Sequence, residues 1–253
     1  MNHPLSSQSS PVFGRYVLID TIRGLTMLNM LLYHFLWDLV YIAGISVPWY
    51  HGKDAYIWQQ GICQTFILLS GFCWSFGRHP LKRGLTVFWA GGLITFITML
   101  FTPQNQVVFG VLTLLGSCML LMIPLDCIMK KITNPVVLIL LTVISITLFV
   151  LLHPLWDGYP KPAWGNLFTA YLGFPGSDFR SADYFPLLPW FFLFMAGYLF
   201  HKFSVRLGWL EAPVLRKDFL RPLTPIGRHS LLIYMLHQPV LYGLTTLIIF
   251  LKK

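Results

Sequence analysis

The sequence predicts an all-α, polytopic transmembrane bundle of about seven spans with a cytoplasmic N-terminus. Three observations predict it. Hydrophobic residues make up 56% of the 253 and charged residues only 11%, against about 25% charge in a soluble domain, so a globule of this chain could not be clothed in solvated side chains. Apolar runs recur at roughly the 17–25 residues that a bilayer requires. Lys and Arg fall mainly in alternate loops. A mean hydropathy of +0.66 agrees. This composition excludes a soluble protein, a disordered chain and a nucleic-acid-binding domain, and the net charge of +9 reports basic loops facing the cytoplasm.

The spans are expected at 19–45, 56–77, 84–101, 107–128, 136–152, 186–202 and 226–250, in one domain behind a flexible, polar tail over 1–14 that lacks the basic start of a signal peptide. Pro48, Arg78-His79-Pro80, Pro103, Asn134-Pro135, Pro154 and Pro225 mark the breaks. With the N-terminus inside, 13 of the 18 basic residues are cytoplasmic; Lys53, Lys161, Arg180, Lys252 and Lys253 are outside. Loop 153–185, rich in Trp, Tyr, Gly and Pro, then faces outward, with room for a short extra helix. Loop 203–222 mixes basic residues with Leu207, Trp209, Leu210 and Leu220 as an interfacial amphipathic segment. Cys63, Cys73, Cys118 and Cys127 lie in apolar stretches and read as small core residues. Gly71, Gly77, Gly91, Gly92 and Gly197 read as close helix contacts, and Trp49, Tyr50, Trp156 and Tyr159 as interface belts.

The first span carries Asp20, Arg23, His34 and Asp38 among Leu, Ile and Met. A charge in hydrocarbon costs at least about 2.5–3.5 kcal/mol, which makes intramembrane ionisable groups functional candidates. At about 100° per residue, Arg23 and His34 lie within roughly 20° of each other, with Asp20 and Asp38 on the same side. Eleven residues rise roughly 16 Å, so an Arg23 at the inner interface puts His34 near mid-membrane. Asp38, at i+4, is expected to hydrogen-bond His34, as the orienter of a base. Arg23 offers a planar fork for phosphate, and Asp20 can hold it. Three alternatives stay open: paired charges that only fix helix packing, a proton-coupled transporter using the same stripe as a relay, and a non-catalytic assembly partner.

Other polar residues carry paired readings. His51, beside Lys53 and Asp54, is a solvated loop histidine or a catalytic one. His237 packs or touches substrate. Asp183 caps a helix or, beside Tyr184 and Trp190, holds a sugar hydroxyl or amine. Arg15, Arg78, Lys82, Arg83, Arg216, Lys217 and Arg228 set topology or bind phosphates. Asp126 and Lys130, at i and i+4, make an ion pair. No P-loop, dinucleotide fingerprint or zinc motif is present, and no metal is expected.

The stretch Arg15-Tyr-Val-Leu-Ile-Asp20-Thr-Ile-Arg23-Gly24, followed by His34-Phe-Leu-Trp-Asp38-Leu39, resembles the opening signature of bacterial members of the heparan-alpha-glucosaminide N-acetyltransferase catalytic-domain family. Phe109-Gly110-Val111-Leu112 with Gly116, Asp183-Tyr184-Phe185-Pro186-Leu187-Leu188-Pro189-Trp190, and Gly227-Arg228-His229-Ser230 through His237-Gln238-Pro239 follow in family order. The Arg23–His34 spacing is also similar to the wider membrane acyltransferases of family three. The resemblance implies an acyltransferase of the bacterial inner membrane. It would take acyl-CoA, first of all acetyl-CoA, from the cytoplasm and acylate a hydroxyl or amine, on a sugar or glycoconjugate, on the far side. Arg15, Asp20, Arg23 and Arg228 would serve the donor, His34 with Asp38 the proton transfer, and Asp183, Tyr184, Trp190 and His237 the acceptor. A homodimer is left open. In the lysosomal member the acetyl-transfer histidine leads into the second helix. His51 stands at that place, with Gln60 and Gly61 where an Asp would follow, so His51 competes with His34 for the catalytic role.

Overall fold

The computed structural model describes residues 15–153 and 158–251. The expected 1–14 tail, the break at Pro154, Trp156, Asp157 and the terminal Lys252 and Lys253 lie outside them. Among the described residues the chain forms nine α-helices and no strand. Seven are long: α1 (Val17–Tyr41), α2 (Lys53–Cys73), α3 (Pro80–Phe101), α4 (Val111–Met129), α5 (Pro135–Leu152), α7 (Leu187–Arg206) and α9 (Ser230–Leu251). Two are short: α6 (Leu167–Leu172), between α5 and α7, and α8 (Leu223–Arg228), just before α9.

Local chemistry sets the boundaries. Pro80 and Pro135 occupy first-turn positions, where a missing N–H costs nothing. Asn134 accepts the amide of Val136, and Asn166 with Thr169 closes a capping box on α6. The fourth span starts at Val111 rather than 107, because Phe109 is held at φ +56° and Gly110 is extended. The last span is cut in two at His229; Pro222 and Pro225 fall at the start of α8, which ends after six residues.

α3, α4, α5 and α9 are long and apolar enough to cross a membrane by length and composition. Their outward faces carry large bare hydrophobics, such as Trp89 at 69% and Phe101 at 75% exposure, which only lipid would cover without penalty. The chain is a membrane protein.

α3 packs on α4, α5 and α2 pack on α7, and α1 packs on α8, α9 and α2. The core runs through Ile67, Leu114, Cys118, Met122, Leu138, Phe194 and Tyr198. Backbones meet at small residues: Gly71 lies on Phe194, Gly197 on Leu68 and Phe72, and Gly91 on Thr113. Gly77 instead makes room for the Arg83 side chain, and Gly92 meets only Trp89 of its own helix. The closest approach involving α1 is at α8, where Gly24 abuts Leu223 and Gly227 abuts the carbonyl of Asp20. Tyr50 is a core residue, 5% exposed, rather than part of an interface belt.

Candidate active site

At the N-terminal end of α1, Asp20 is a hub. Its Oδ2 lies 2.5 Å from Arg15 Nε and 3.5 Å from Arg228 Nε, and its Oδ1 lies 3.6 Å from Arg23 Nη1. The contact between α1 and α8 at Gly24 and Gly227 brings Arg228 there, and Thr21 and Thr224 are bonded beside it at 3.1 Å. Three guanidinium groups on one carboxylate leave a surplus of positive charge. Arg15 is 57% exposed and free to turn toward solvent, whereas the Asp20 side chain is 8% exposed. Such a cluster suits a phosphate group, which guanidinium forks grip through paired hydrogen bonds. The three arginines expected to serve a phosphate-bearing donor therefore converge on the fourth such residue, Asp20.

Eleven residues beyond Arg23 on α1, His34 meets α9 rather than Asp38. Its ring lies edge-on to His237, with centroids 4.7 Å apart and planes at 62°. The expected bond between His34 and Asp38 is corrected. Asp38 is fully buried, and its Oδ1 accepts a hydrogen bond from Gln238 Nε2 at 2.9 Å. Its Oδ2 has no partner, and among the described residues no hydrogen bond joins it to His34. The i+4 spacing does bring the two residues to one face. The amide that α9 lays across that face takes the carboxylate first. Asp38 thus pins α1 to α9.

His237 has one occupied and one free nitrogen. Nδ1 lies 2.5 Å from the carbonyl oxygen of Tyr234, while Nε2 is buried without a partner. Tyr234 in turn points its hydroxyl at Asp183 Oδ2, 3.5 Å away. Asp183 does not cap the helix that follows it, because α7 starts after Pro186 with no side-chain cap. It receives the first amide of α4, Val111 N–H, at 3.4 Å. Two loops are sewn together to bring it there. Ala182 N–H donates to Gln106 O and Phe185 N–H to Phe109 O, each at 2.9 Å. Burial pushes the carboxyl of this loop residue up to about 6, offset in part by Val111 N–H and Tyr234 OH.

Asp183 borders a cleft of about 210 Å³ lined also by Tyr56, Gln59, Gln60, His153, Tyr159 and Tyr184. Trp190 closes one wall, 2% exposed, its Nε1 donating to Tyr159 OH at 3.1 Å. Tyr184 OH donates to the carbonyl of Ala170. Asp183, Tyr184 and Trp190 are thus brought together, and His237 is joined to them only through Tyr234. Gln59, Gln60, His153 and Tyr159 gave no sequence signal as site residues. Gln60 Oε1 and His153 Nδ1 are buried without partners, which marks the lining as unfilled hydrogen-bonding surface.

His51 sits elsewhere, in a second cleft of about 300 Å³ with Tyr33, Tyr41, Tyr50 and Tyr56. Its Nδ1 is 3.2 Å from Tyr41 OH. The structure does not bring His51 to the His34–His237 pair. The two clefts share Tyr56, and Tyr33 of the second packs edge-on against His34 at 5.9 Å.

No curated protein and no solved structure matches the chain. A family model described as heparan-alpha-glucosaminide N-acetyltransferase, catalytic, matches residues 15–239. That match runs from Arg15 at the Asp20 hub, through the histidine pair, to the residue after Gln238. The chain therefore belongs to the heparan-alpha-glucosaminide N-acetyltransferase catalytic-domain family.

Proposed function

We propose that the protein transfers an acyl group, in the first instance acetyl, from cytoplasmic acyl-CoA to a hydroxyl or amine of a sugar-type acceptor on the far side of the membrane. It does so through seven spans with the N-terminus inside. Family membership supports acetyl transfer. One observation carries the rest: α1 joins a guanidinium cluster at one end to a histidine pair roughly 16 Å along its axis.

In this reading Arg15, Arg23 and Arg228 hold donor phosphates as their grip on Asp20 loosens. The thioester lies along the buried α1 face toward His34. The acceptor occupies the cleft of Asp183, Tyr184 and Trp190, where carboxylate, amide and phenol groups can orient a hydroxyl or amine. His34 takes the proton from the acceptor as its oxygen or nitrogen bonds to the acyl carbon. The carbon–sulfur bond then breaks, and the same proton passes to the departing thiolate. His51, in its own tyrosine-lined cleft, belongs to the acceptor's approach rather than to the proton transfer.

General-base catalysis contributes roughly 10²–10⁴-fold, so His34→Ala should lower thiol release from acetyl-CoA by that factor while the protein still inserts. Purified protein with acetyl-CoA and glucosamine as the probe acceptor, followed with a thiol reagent, measures it. Undiminished release from the variant would remove His34 from the reaction. Proton flux in liposomes without thioester cleavage would replace transfer by transport.

A further inference from the structure

An imidazole works as a base when one nitrogen carries the lone pair and the other N–H is held by an acceptor. Asp38 was the natural acceptor for His34, but its Oδ1 is taken by Gln238 and its open Oδ2 makes no bond to His34. The buried acceptor that α9 sets beside His34 is His237. A carbonyl oxygen can only accept, so the 2.5 Å contact with Tyr234 O makes Nδ1 the protonated nitrogen of His237. In the neutral ring Nε2 then carries a bare lone pair. That atom is buried and unpartnered, and its ring stands 4.7 Å, centroid to centroid, from that of His34. A doubly protonated ring would bury an N–H with nothing to receive it, a costly arrangement.

We propose that His237 is the positioning residue for His34. Its Nε2 accepts one ring N–H of His34, and the backbone carbonyl of Tyr234 holds His237 in the tautomer that makes this possible. The other nitrogen of His34 is thereby left as the base. The chain of hydrogen bonds runs from acceptor X–H to His34, from His34 N–H to His237 Nε2, and from His237 Nδ1–H to Tyr234 O. No net proton leaves the site, because the one removed from the acceptor returns to the thiolate. The contact between the rings is open in the free protein and closes as substrates fill the site, as hydrogen bonds of catalytic groups commonly do. The inference rests on the reading of His34 as base.

The test pairs two substitutions of different reach. Gln at 237 presents a polar atom near the place of Nε2, whereas Asn reproduces only the Nδ1 side. His237→Ala and His237→Asn should lower kcat for acetyl-CoA cleavage about 10²-fold with KM for acetyl-CoA little changed, and His237→Gln should restore roughly tenfold of that loss. Adding His237→Ala to His34→Ala should cost nothing further, because His237 acts only through His34. Nitrogen-15 spectra of the histidine side chains should show neutral His237 protonated at Nδ1. Equal kcat for the Asn and Gln variants, a loss confined to KM, multiplicative effects of the two alanines, or protonation at Nε2 would each overturn the proposal. If His34→Ala is inactive while His237→Ala is fully active, this inference alone falls; if His34→Ala is fully active, the base assignment falls with it.

Discussion

Asp183 shows how a side chain can be fixed by partners that its own neighbourhood does not announce. Its local sequence, just before Pro186 and Pro189, predicts a cap on α7. The structure gives the carboxylate to the first amide of α4 and to Tyr234 of α9. Burial raises this acid to about 6, above the roughly 3.9 of an unfolded Asp. The folded state therefore binds the proton more tightly, and stability falls as pH rises between those values and levels off above the higher one. Asp183→Asn keeps an acceptor for Val111 N–H and removes that pH-dependent cost. Thermal unfolding in micelles should show the variant gaining more over the wild type at pH 7 than at pH 5, and an equal gain at both would mean a solvated carboxyl. The polar row of α1 was legible from helical periodicity alone, since Asp20, Arg23, His34 and Asp38 need only one helix to be aligned. Gln238, Gln60 and His153 were not, because their roles depend on which helix lies opposite, and periodicity carries no register between helices.

At the scale of elements, all seven long helices were visible as apolar runs between prolines. The break between α8 and α9 at His229 was not, since Pro222 and Pro225 mark only where α8 begins. Pro is compatible with a helix's first turn, so the same residues admit either one continuous helix or a short one followed by a second. α8 matters because it carries Gly227 and Arg228 together. A methyl on Gly227 would collide with the backbone carbonyl of Asp20. Overpacking of this kind costs about 1–3 kcal/mol, and here it would also lift Arg228 off the hub. Gly227→Ala should lower the melting temperature and weaken acetyl-CoA binding together, as read by thermal shift and calorimetry. Gly243→Ala, where a methyl meets open space, should leave both unchanged. Loss of binding in neither variant would separate α8 from the donor site.

The whole molecule was readable where composition decides and silent where assembly does. Hydropathy and the 13-to-5 division of basic residues predict membrane insertion and orientation, but neither predicts that two clefts would meet at Tyr56. Orientation is testable by labelling in a Cys127→Ser background, which removes the exposed native thiol. A cysteine placed by Lys161→Cys should react with an impermeant maleimide on intact cells, and one placed by Arg216→Cys only after lysis; the opposite pattern would invert the topology. The His34–His237 pair spans a seam rather than sitting within one helix. α1 is tied into the bundle, while most of α9 faces outward: Thr245 is the one residue buried as a whole, and His237 buries only its ring nitrogen Nε2. The distance between the two imidazoles is therefore a property of how two rods lean on each other. Lipid chain length biases such leaning, so under the proposed mechanism the surrounding fat is in effect a component of the catalytic pair.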